Sequence, residues 1–374
     1  MLTMSTPPSL VQPLQDSLLT GTVPGREGRP MGCRATHPTW HKAGTKKVLQ
    51  ACEHGARMLR GKTRLWLAFA IALSGSTATR GVEVTTQRSV GGVRVLVDGQ
   101  LFTEYLIQSG AKPILWPVIG PTGKAMTRSY PMRPAGLPSE RKDHPHHRSL
   151  WFTHGSVNGV DFWGENDPHG TIRHREFRQI ASGGPVAKIT TVNDWIAPDG
   201  HKICEDERQL RLGADREVRW IDFNVTLTAS DGDVLFGDTK EGSFGVRVAG
   251  SMKVDAGKGR IVNSEGLTDK RAWGKPAKWV DYHGPVDGEL VGIAIFNHPS
   301  SFRYPTYWHV RTYGLFAANP FGLHNFLNRK EPLGAYTLPA GKSFTLRYRV
   351  LLHTGDEKKA RVADRFKAYA AQKG

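Results

Sequence analysis

The sequence has few cysteines, few acidic residues and no long apolar run. Three cysteines in 374 residues exclude a disulfide-rich scaffold. The longest apolar run covers nine residues, 65–73, less than half of the roughly 20 that a membrane-spanning helix needs. No Gly-x-Ser-x-Gly elbow and no glycine-rich phosphate loop follow a predicted strand. A serine hydrolase and a nucleotide-binding fold therefore have no support in the sequence.

The first 80 residues differ in composition from the rest of the chain. Residues 1–57 show no period of either two or 3.6, and we interpret them as a doubtful, disordered leader. Residues 58–80 begin with Met58 and basic residues, continue with the nine-residue apolar run and end in small residues, with Ser76 and Ala78 at cleavage spacing. This pattern predicts a signal peptide that starts at Met58. We expect a periplasmic or secreted protein.

Residues 81–374 are predicted to form a single domain. They hold 40 Lys and Arg against 31 Asp and Glu, so the net charge of +17 for the whole chain drops to +9 for this part. The basic residues are scattered rather than clustered, which argues against nucleic-acid binding. Cys204 is the only cysteine after residue 80, so no intrachain disulfide is possible in this domain.

Period-two alternation recurs along this domain and predicts an all-β fold. Residues 93–107 read as a hairpin closed by Asp98-Gly99. Thr354 and Glu357 are spaced as a capping box before an apolar helical stripe, which predicts a short C-terminal helix. The many antiparallel strands without a linker favour one large β-sandwich, although two smaller sandwiches remain open. Further strands are predicted at 113–119, 186–192, 216–229, 242–249, 290–297, 306–317 and 343–352.

Residues 143–165 contain four histidines, two tryptophans, an arginine and several acids. In a strand that starts at His147, alternation puts His147 and Trp151 on one face and Leu150 and Phe152 on the other. A tryptophan beside a histidine on a solvated sheet face suits a sugar, because the indole is a platform for the ring and the imidazole binds hydroxyls.

The same histidines raise the question of a metal. His144, His146 and His147 offer three imidazoles, and Asp143 could add an oxygen ligand. Their spacing matches no known ligand pattern, and adjacent strand residues point in opposite directions. We therefore predict no metal and no cofactor. A bound metal remains the alternative, and His144 and His146 could instead order a loop by hydrogen bonding.

Two other predicted strands carry polar faces. Glu241 and Arg247 share a face of the segment 238–248, and Tyr307, His309 and Arg311 share a face of the strand at 306–317. Glu241 and a histidine could act as an acid–base pair, with an arginine holding a carboxylate or hydroxyl.

Three segments carry a family resemblance. Asp-His-Pro-His-His-Arg-Ser-Leu-Trp-Phe (from residue 143), Lys-Glu-Gly-x-Phe-Gly (from 240) and Tyr-Trp-His-Val-Arg (from 307) resemble the methane oxygenase PmoA-like family of exported bacterial proteins. The resemblance covers about residues 85–355. It implies a galactose-mutarotase-like β-supersandwich, in which a His and a Glu on the concave sheet act as acid and base. His147 or His309 with Glu241 would match that chemistry.

The sequence thus predicts an exported carbohydrate-active protein that binds or transforms a sugar or uronic-acid ring, as an epimerase, lyase or hydrolase. The alternatives are a copper- or iron-dependent oxygenase, as the family's name suggests, and a noncatalytic secreted sugar-binding module. The predicted partner is a small sugar or oligosaccharide. The predicted catalytic residues are His147, Glu241 and His309. The predicted substrate-binding residues are Arg148, Trp151, His154, Asn158, Trp163, Lys240, Arg247, Tyr307 and Arg311.

Overall fold

Alternating apolar and polar residues recur along the chain, and most such segments form β-strands. The structure is a computed structural model that describes residues 81–134, 137–138 and 140–373, so the predicted leader and signal peptide lie outside it. In chain order the elements are β1 (Val84–Ser89), β2 (Gly92–Val97), β3 (Gln100–Ser109), β4 (Lys112–Val118), β5 (Leu150–His154), β6 (Thr171–Ala181), β7 (Val186–Ile196), β8 (Lys202–Ala214), β9 (Val218–Thr228), β10 (Val234–Phe236), β11 (Gly242–Arg247), β12 (Arg260–Asn263), β13 (Trp279–Val286), β14 (Glu289–Asn297), β15 (Tyr307–Val310), β16 (Leu315–Asn319), α1 (Leu323–Phe326), β17 (Tyr336–Leu338), β18 (Ser343–Thr354) and α2 (Val362–Ala370).

Sixteen of these strands form two antiparallel sheets of eight. The first sheet has the order β1-β2-β3-β4-β5-β11-β16-β15, and the second has the order β12-β13-β14-β18-β9-β8-β7-β6. Strands β10 and β17 pair with each other as a separate ribbon. Each large sheet has an apolar face that must be buried, and the two faces pack against each other.

The core lies between the two sheets. Phe152 and Phe244 of the first sheet contact Phe223 of the second, with ring centroids 6.4 and 4.9 Å apart. Phe244 also stacks on Tyr348 of the second sheet at 4.9 Å. All four side chains are buried. The predicted all-β fold, a large antiparallel sandwich with a short C-terminal helix, is confirmed.

Turn residues decide where two of the predicted segments reverse. Asp98 and Gly99, with φ of 50° and 78°, close the hairpin between β2 and β3, as a two-residue turn with positive φ requires. The segment 306–317, predicted as one strand, forms the two strands β15 and β16. The chain reverses between them at Gly314, which has a φ of 102° and donates its N–H to the carbonyl oxygen of Arg311.

Strand β8 is the longest in the described chain, and the sequence pattern does not predict it. Its inward positions include Asp206 and Arg208, where a core strand normally has apolar residues. Both side chains are buried, and they form an ion pair of 2.9 Å. Trp195 also donates its indole N–H to Asp206 at 2.8 Å. This internal pairing compensates for the cost of burying the charges. Because charged residues occupy buried positions, the alternation of apolar and polar residues does not predict this strand.

The predicted capping box is wrong, and α2 begins later than expected. Thr354 is the last residue of β18, so it cannot cap a helix, and Glu357 lies in the connection that follows. Within that connection Asp356 accepts the N–H of Lys359 at 2.8 Å. The helix itself starts after Arg361, which has a left-handed φ of 51° and makes no side-chain cap.

The apolar stripe of α2 packs on the outer face of the second sheet. Phe366 and Tyr369 contact Phe296 of β14, with ring centroids 5.8 and 6.0 Å apart. No helix among the described residues has the length and apolar character needed to cross a membrane.

Candidate functional site

A row of paired residues crosses four strands on the outer face of the first sheet. Trp151 of β5 pairs with Gly245 of β11, Gly245 with Ala317 of β16, and Ala317 with His309 of β15. Side chains paired in this way lie on one face of the sheet. A Cβ on Gly245 would lie 2.6 Å from Cζ2 of Trp151. The glycine therefore leaves the space that the indole occupies.

Arg128 fixes the loop 143–147 that borders this row. Its guanidinium donates to Oδ1 of Asp143 at 2.8 Å, and Arg247 donates to the same oxygen at 2.8 Å. Burial acts to raise the pKa of Asp143, but the two guanidinium groups outweigh it, so the pKa is lowered. The ionised carboxylate anchors the loop. Arg128 also donates, over 2.7–3.2 Å, to the main-chain carbonyl oxygens of Arg141, Asp143, His144 and His147.

Four rings stack in a column that runs from this loop to the sheet. Tyr313 stacks on His144 at 5.6 Å and His144 on His147 at 4.9 Å. His147 then stacks on Trp151 at 5.3 Å. The His144 side chain is 44% exposed, whereas Trp151 is fully buried. The column thus connects solvent with the buried row on the sheet.

Trp163 covers the buried end of the column. Its ring centroid lies 5.2 Å from that of Trp151 and 5.6 Å from that of His147. Asp161 positions this segment by accepting the main-chain N–H groups of Trp163 and Gly164 at 2.8 and 3.0 Å. The expectation that Trp151 lies on a solvated face is therefore wrong, since alternation identifies the face but not the loop that covers it.

These segments surround an open cleft of about 410 Å³, within the range of roughly 300–1,000 Å³ for small-molecule sites. It includes all three residues that were predicted to be catalytic. The lining residues are His144, His146, His147, Asp161, Trp163, Gly164, Asn166, Lys240, Glu241, His309, Arg311 and Tyr313.

His309 has the geometry of a general base. Its Nδ1–H donates to the main-chain carbonyl oxygen of Lys240 at 2.8 Å, which leaves the lone pair of the neutral ring on Nε2. Burial lowers the pKa of His309 to about 4, against the opposing effect of Glu241. The imidazole is therefore neutral at physiological pH and can accept a proton.

Glu241 and Lys240 form an ion pair beside His309. Lys240 Nζ lies 2.9 Å from Glu241 Oε1, and both side chains are more than a third exposed, at 42% and 37%. The pair therefore presents a proton-carrying ammonium and a carboxylate to anything bound in the cleft.

Arg311 is the cation of the cleft that makes no ion pair within the described chain. Its guanidinium lies over the rings of Trp273 and Tyr313, at 5.6 and 5.7 Å from their centroids. Such cation–π contacts orient the group without using its N–H donors in hydrogen bonds. Its planar fork remains free to bind a carboxylate through two hydrogen bonds.

His147 lines the cleft, but its basic nitrogen is occupied. Arg247 donates to Nδ1 of His147 at 2.9 Å, so the proton of the neutral ring is on Nε2, which is buried without a partner in the described chain. Burial, with the nearby His146 and Arg247, holds the pKa of His147 well below its ordinary value. This histidine has no free lone pair for a substrate proton.

Arg148 lies outside the cleft lining, in an ion-pair network. It donates to both oxygens of Glu165, with Nη2 at 2.6 Å from Oε2. Buried Lys112 contacts the same carboxylate at 2.8 Å. Burial acts to raise the pKa of Glu165, but Arg148 and Lys112 outweigh it and lower the pKa to about 2. Arg148 is thus engaged by the protein itself.

His154 is also buried away from the cleft lining. Its Nε2 is 2.8 Å from the carbonyl oxygen of Gly237, and its Nδ1 is 3.2 Å from the hydroxyl of Ser243. Burial lowers the pKa of His154 to about 4. Both ring nitrogens are satisfied by the protein, which is the arrangement of a core histidine.

Asn158 and Tyr307 occupy structural positions as well. The side-chain oxygen of Asn158 accepts the N–H of Leu235 at 2.7 Å, which holds the turn after β5 against β10. Tyr307 stacks on Phe326 of α1 with ring centroids 5.9 Å apart. Neither side chain lines the cleft.

Sequence reasoning missed the residues that hold the cleft together. Arg128 and Asp161 act mainly through main-chain groups of nearby loops, and no spacing rule identifies such contacts. Asn166 lines the cleft from a turn without a motif. Only Asp143 and His144 could have been identified as part of the cleft from the sequence, because they begin the histidine-rich segment.

The histidine loop does not gather a set of metal ligands. The rings of His144, His146 and His147 contact one another, with centroids 4.5–5.7 Å apart. Among the described residues, ligand atoms from three His, Cys, Asp or Glu side chains come within 4.8 Å of one another only at one other place, which is outside the cleft. Within the described residues, this cleft therefore does not offer the three metal ligands that the oxygenase alternative needs.

Comparison with solved structures gives distant similarities. A GH36 alpha-galactosidase, AgaB from Geobacillus stearothermophilus, is 12% identical with a TM-score of 0.36, over 72% of this chain and 39% of that enzyme. The alpha-galactosidase from Lactobacillus brevis is 9% identical with a TM-score of 0.36, over 74% of this chain and 40% of the enzyme. The chain thus spans about two fifths of their length, and a likeness of this size says nothing about its reaction.

Curated proteins give no match to this sequence. A family model, described as a family of unknown function (DUF6807), matches residues 92–367. The match extends from β2 into α2 and includes every residue that lines the cleft. The chain belongs to the DUF6807 family.

Proposed function

We propose that this chain is a carbohydrate-active protein whose cleft binds an acidic sugar ring and transforms it by acid–base chemistry. The observation that carries the proposal is the presence, in one cleft, of a neutral histidine base, an ammonium–carboxylate pair and an unpaired guanidinium. A ring of sugar size needs polar partners for its hydroxyls, and the exposed side chains of Lys240, Glu241 and His144 can supply them.

The unpaired guanidinium of Arg311 favours a uronic acid over a neutral sugar. A carboxylate on the ring would pair with Arg311, which has no carboxylate partner in the described chain, and bind its fork in two places. Arg247, which the sequence suggested for this role, is instead held by Asp143 and His147. The proposal therefore assigns carboxylate binding to Arg311.

A proton on the carbon next to a carboxylate is the natural target of His309. In this scheme Nε2 of His309 takes that proton, and the electron pair of the broken C–H bond moves into the carboxylate that Arg311 neutralises. Return of a proton to the opposite face, from the ammonium of Lys240, gives epimerisation. Expulsion of the oxygen on the next carbon, which takes a proton from the Lys240–Glu241 pair, gives a lyase reaction.

Hydrogen exchange tests this proposal directly. The protein is incubated in D₂O with galacturonate, glucuronate and short oligouronates, and deuterium at the carbon next to the carboxylate is followed by NMR. We expect incorporation with the unmodified protein and its loss in His309→Gln. The exposed His201 on the β7–β8 connection provides the control variant His201→Gln, which is expected to retain full exchange. Absence of both binding and exchange for every sugar tested would contradict the proposal.

Binding without turnover is a separate outcome. If a sugar binds the unmodified protein and the Glu241→Gln variant equally, and no exchange or product is detected with either, the noncatalytic binding module is the better description. Stoichiometric copper or iron in protein purified without an affinity tag, lost on His147→Ala, would instead favour the oxygenase.

We also propose that the protein is exported and that it is related to the PmoA-like family. A signal peptide starting at Met58 would deliver the chain to the periplasm or beyond, where sugar polymers are met. Mapping the first residue of the native protein tests it, and an abundant peptide from residues 1–57 would contradict the start at Met58.

A further inference from the structure

A second group of chemically active side chains lies on the other sheet, outside the cleft. Asp281 and His283 are on β13, and Glu357 is in the connection between β18 and α2. One ligand atom from each of the three lies within 4.8 Å of the other two. Asp281 is fully buried, while the side chains of His283 and Glu357 are 8% and 16% exposed.

We propose that Asp281, His283 and Glu357 bind one divalent transition-metal ion, with Zn²⁺ as the preferred ion. Nδ1 of His283 lies 2.6 Å from Oδ1 of Asp281 and 3.7 Å from Oε2 of Glu357. Bonds of about 2.0–2.2 Å to a tetrahedral ion place its ligands roughly 3.3–3.5 Å apart. Small side-chain rotations therefore convert the present hydrogen-bonded contacts into three ligands, and water from the exposed side completes the shell.

His353 holds the carboxylate of Asp281 in place through its second oxygen. Its Nε2 is 2.7 Å from Oδ2 of Asp281, the oxygen that does not face His283. This contact fixes the carboxylate so that Oδ1 points toward His283. Partners of this kind, which hold a metal ligand in position, contribute to metal affinity.

A glycine leaves room for the two imidazoles. Gly292 of β14 pairs with His283 on one side and with His353 on the other, so the three residues form a row on one face of the sheet. A Cβ on Gly292 would lie 2.2 Å from Cε1 of His353 and 3.1 Å from Cβ of His283. Any larger residue would displace the rings from Asp281.

The charge of the group also suits a cation. Asp281 and Glu357 bring two carboxylates into a largely buried site, and no Lys or Arg side chain of the described chain forms an ion pair with either of them. A divalent ion neutralises both carboxylates and takes the place of the proton that joins Asp281 and His283. The ion would join β13 to the connection that leads to α2, so we expect it to stabilise the C-terminal part of the chain.

Metal titration tests this inference independently of any sugar activity. The native protein, purified without a polyhistidine tag, is stripped with a chelator and then titrated with ZnCl₂ by calorimetry, with bound zinc measured by elemental analysis. We expect one Zn²⁺ per chain and a higher melting temperature, both reversed by EDTA. No binding of Zn²⁺, Co²⁺ or Mn²⁺ above the level of a metal-free control would overturn the proposal.

Variants locate the site. Glu357→Gln is the main test because this residue is near the surface and the fold should tolerate the change; we expect it to abolish stoichiometric binding. His353→Gln should weaken binding about 10- to 100-fold. Zinc binding that survives Glu357→Gln and His283→Gln but is lost in a combined His144→Gln and His146→Gln variant would assign the metal to the cleft and contradict the proposal. His201→Gln is the matched control and should bind normally.

Discussion

Arg247 donates a hydrogen bond to Nδ1 of His147 over 2.9 Å, across the boundary between β11 and the histidine loop. Its other terminal nitrogen binds Asp143 at 2.8 Å. One buried guanidinium therefore sets the tautomer of His147 and fixes the loop, and it leaves the recognition of a ligand to other groups. The loop is a wall of the cleft, so its position decides whether the cleft exists.

Replacing Arg247 with methionine should destabilise the protein. The variant keeps the volume of the side-chain stem but leaves Nδ1 of His147 without its donor and Asp143 with Arg128 as its remaining guanidinium partner. Loss of one member of a buried charge pair costs about 3–5 kcal/mol, and we expect a value near the lower end because the Asp143 side chain is 29% exposed. Urea unfolding followed by tryptophan fluorescence measures it. A loss below about 1 kcal/mol would show that the loop does not depend on this contact.

Gly245→Ala should disturb the packing of Trp151 on the sheet beside the cleft. The added methyl group would lie 2.6 Å from Cζ2 of the buried Trp151, a rigid ring that Trp163 covers. Overpacking of this kind costs about 1–3 kcal/mol. The control is Gly81→Ala, where a Cβ meets no atom within 4 Å. Thermal denaturation of both variants should show a lower melting temperature only for Gly245→Ala, and equal values would contradict the packing argument.

Acid should destabilise the folded protein through its buried histidines. Burial lowers the pKa of both His154 and His309 to about 4, from an ordinary value of 6.5. Between these pH values the unfolded chain binds more protons than the folded one. The contribution of the two histidines to the free energy of unfolding is therefore fully present above pH 6.5 and is lost as the pH falls toward 4. Each histidine contributes up to about 3 kcal/mol to this loss.

Urea unfolding at several pH values between 4 and 7 measures the slope. The His154→Gln variant should show a shallower decrease because one proton-binding difference is removed. An unchanged slope in this variant would show that His154 has the same pKa in the folded and the unfolded chain, and it would contradict the effect of burial.

The sequence was most informative where alternation was regular. It put His309 and Arg311 on one face of the same strand; in the structure both line the cleft, and Trp308 and Val310, which alternate with them, lie in the core. It failed at β8, where the buried pair of Asp206 and Arg208 replaces apolar residues. Alternation reports which face a side chain occupies, whereas burial by internal ion pairs depends on partners far away in the chain.

Candidate site residues show the same limit. Arg148 and Arg311 are both arginines close to histidine-rich strands, and the sequence could not rank them. In the structure Glu165 neutralises Arg148, whereas the guanidinium of Arg311 lies over two aromatic rings without a carboxylate in the described chain. The difference arises from contacts between loops, which no local pattern encodes.

Arg311→Gln should reduce the affinity for uronic acids and leave neutral sugars nearly unaffected. Hydrogen bonds to a charged group contribute about 1.5–3 kcal/mol, which corresponds to roughly a 10- to 100-fold weaker binding. The exposed Arg216, in the turn between β8 and β9, provides the control variant Arg216→Gln. Calorimetric titration with galacturonate and with galactose measures both affinities. An equal loss of affinity for the two sugars would show that Arg311 does not bind the carboxylate.

The pH dependence of proton exchange should identify His309 as the base. Because the pKa of His309 is lowered to about 4, its Nε2 stays unprotonated through neutral and weakly acidic pH. The rate of deuterium incorporation per unit of bound sugar is therefore expected to remain level from pH 7 down to about pH 5 and to decline toward pH 4. His309→Gln should abolish the exchange at every pH, while sugar binding persists. A decline centred near pH 6.5 would contradict the assignment of His309 as the base.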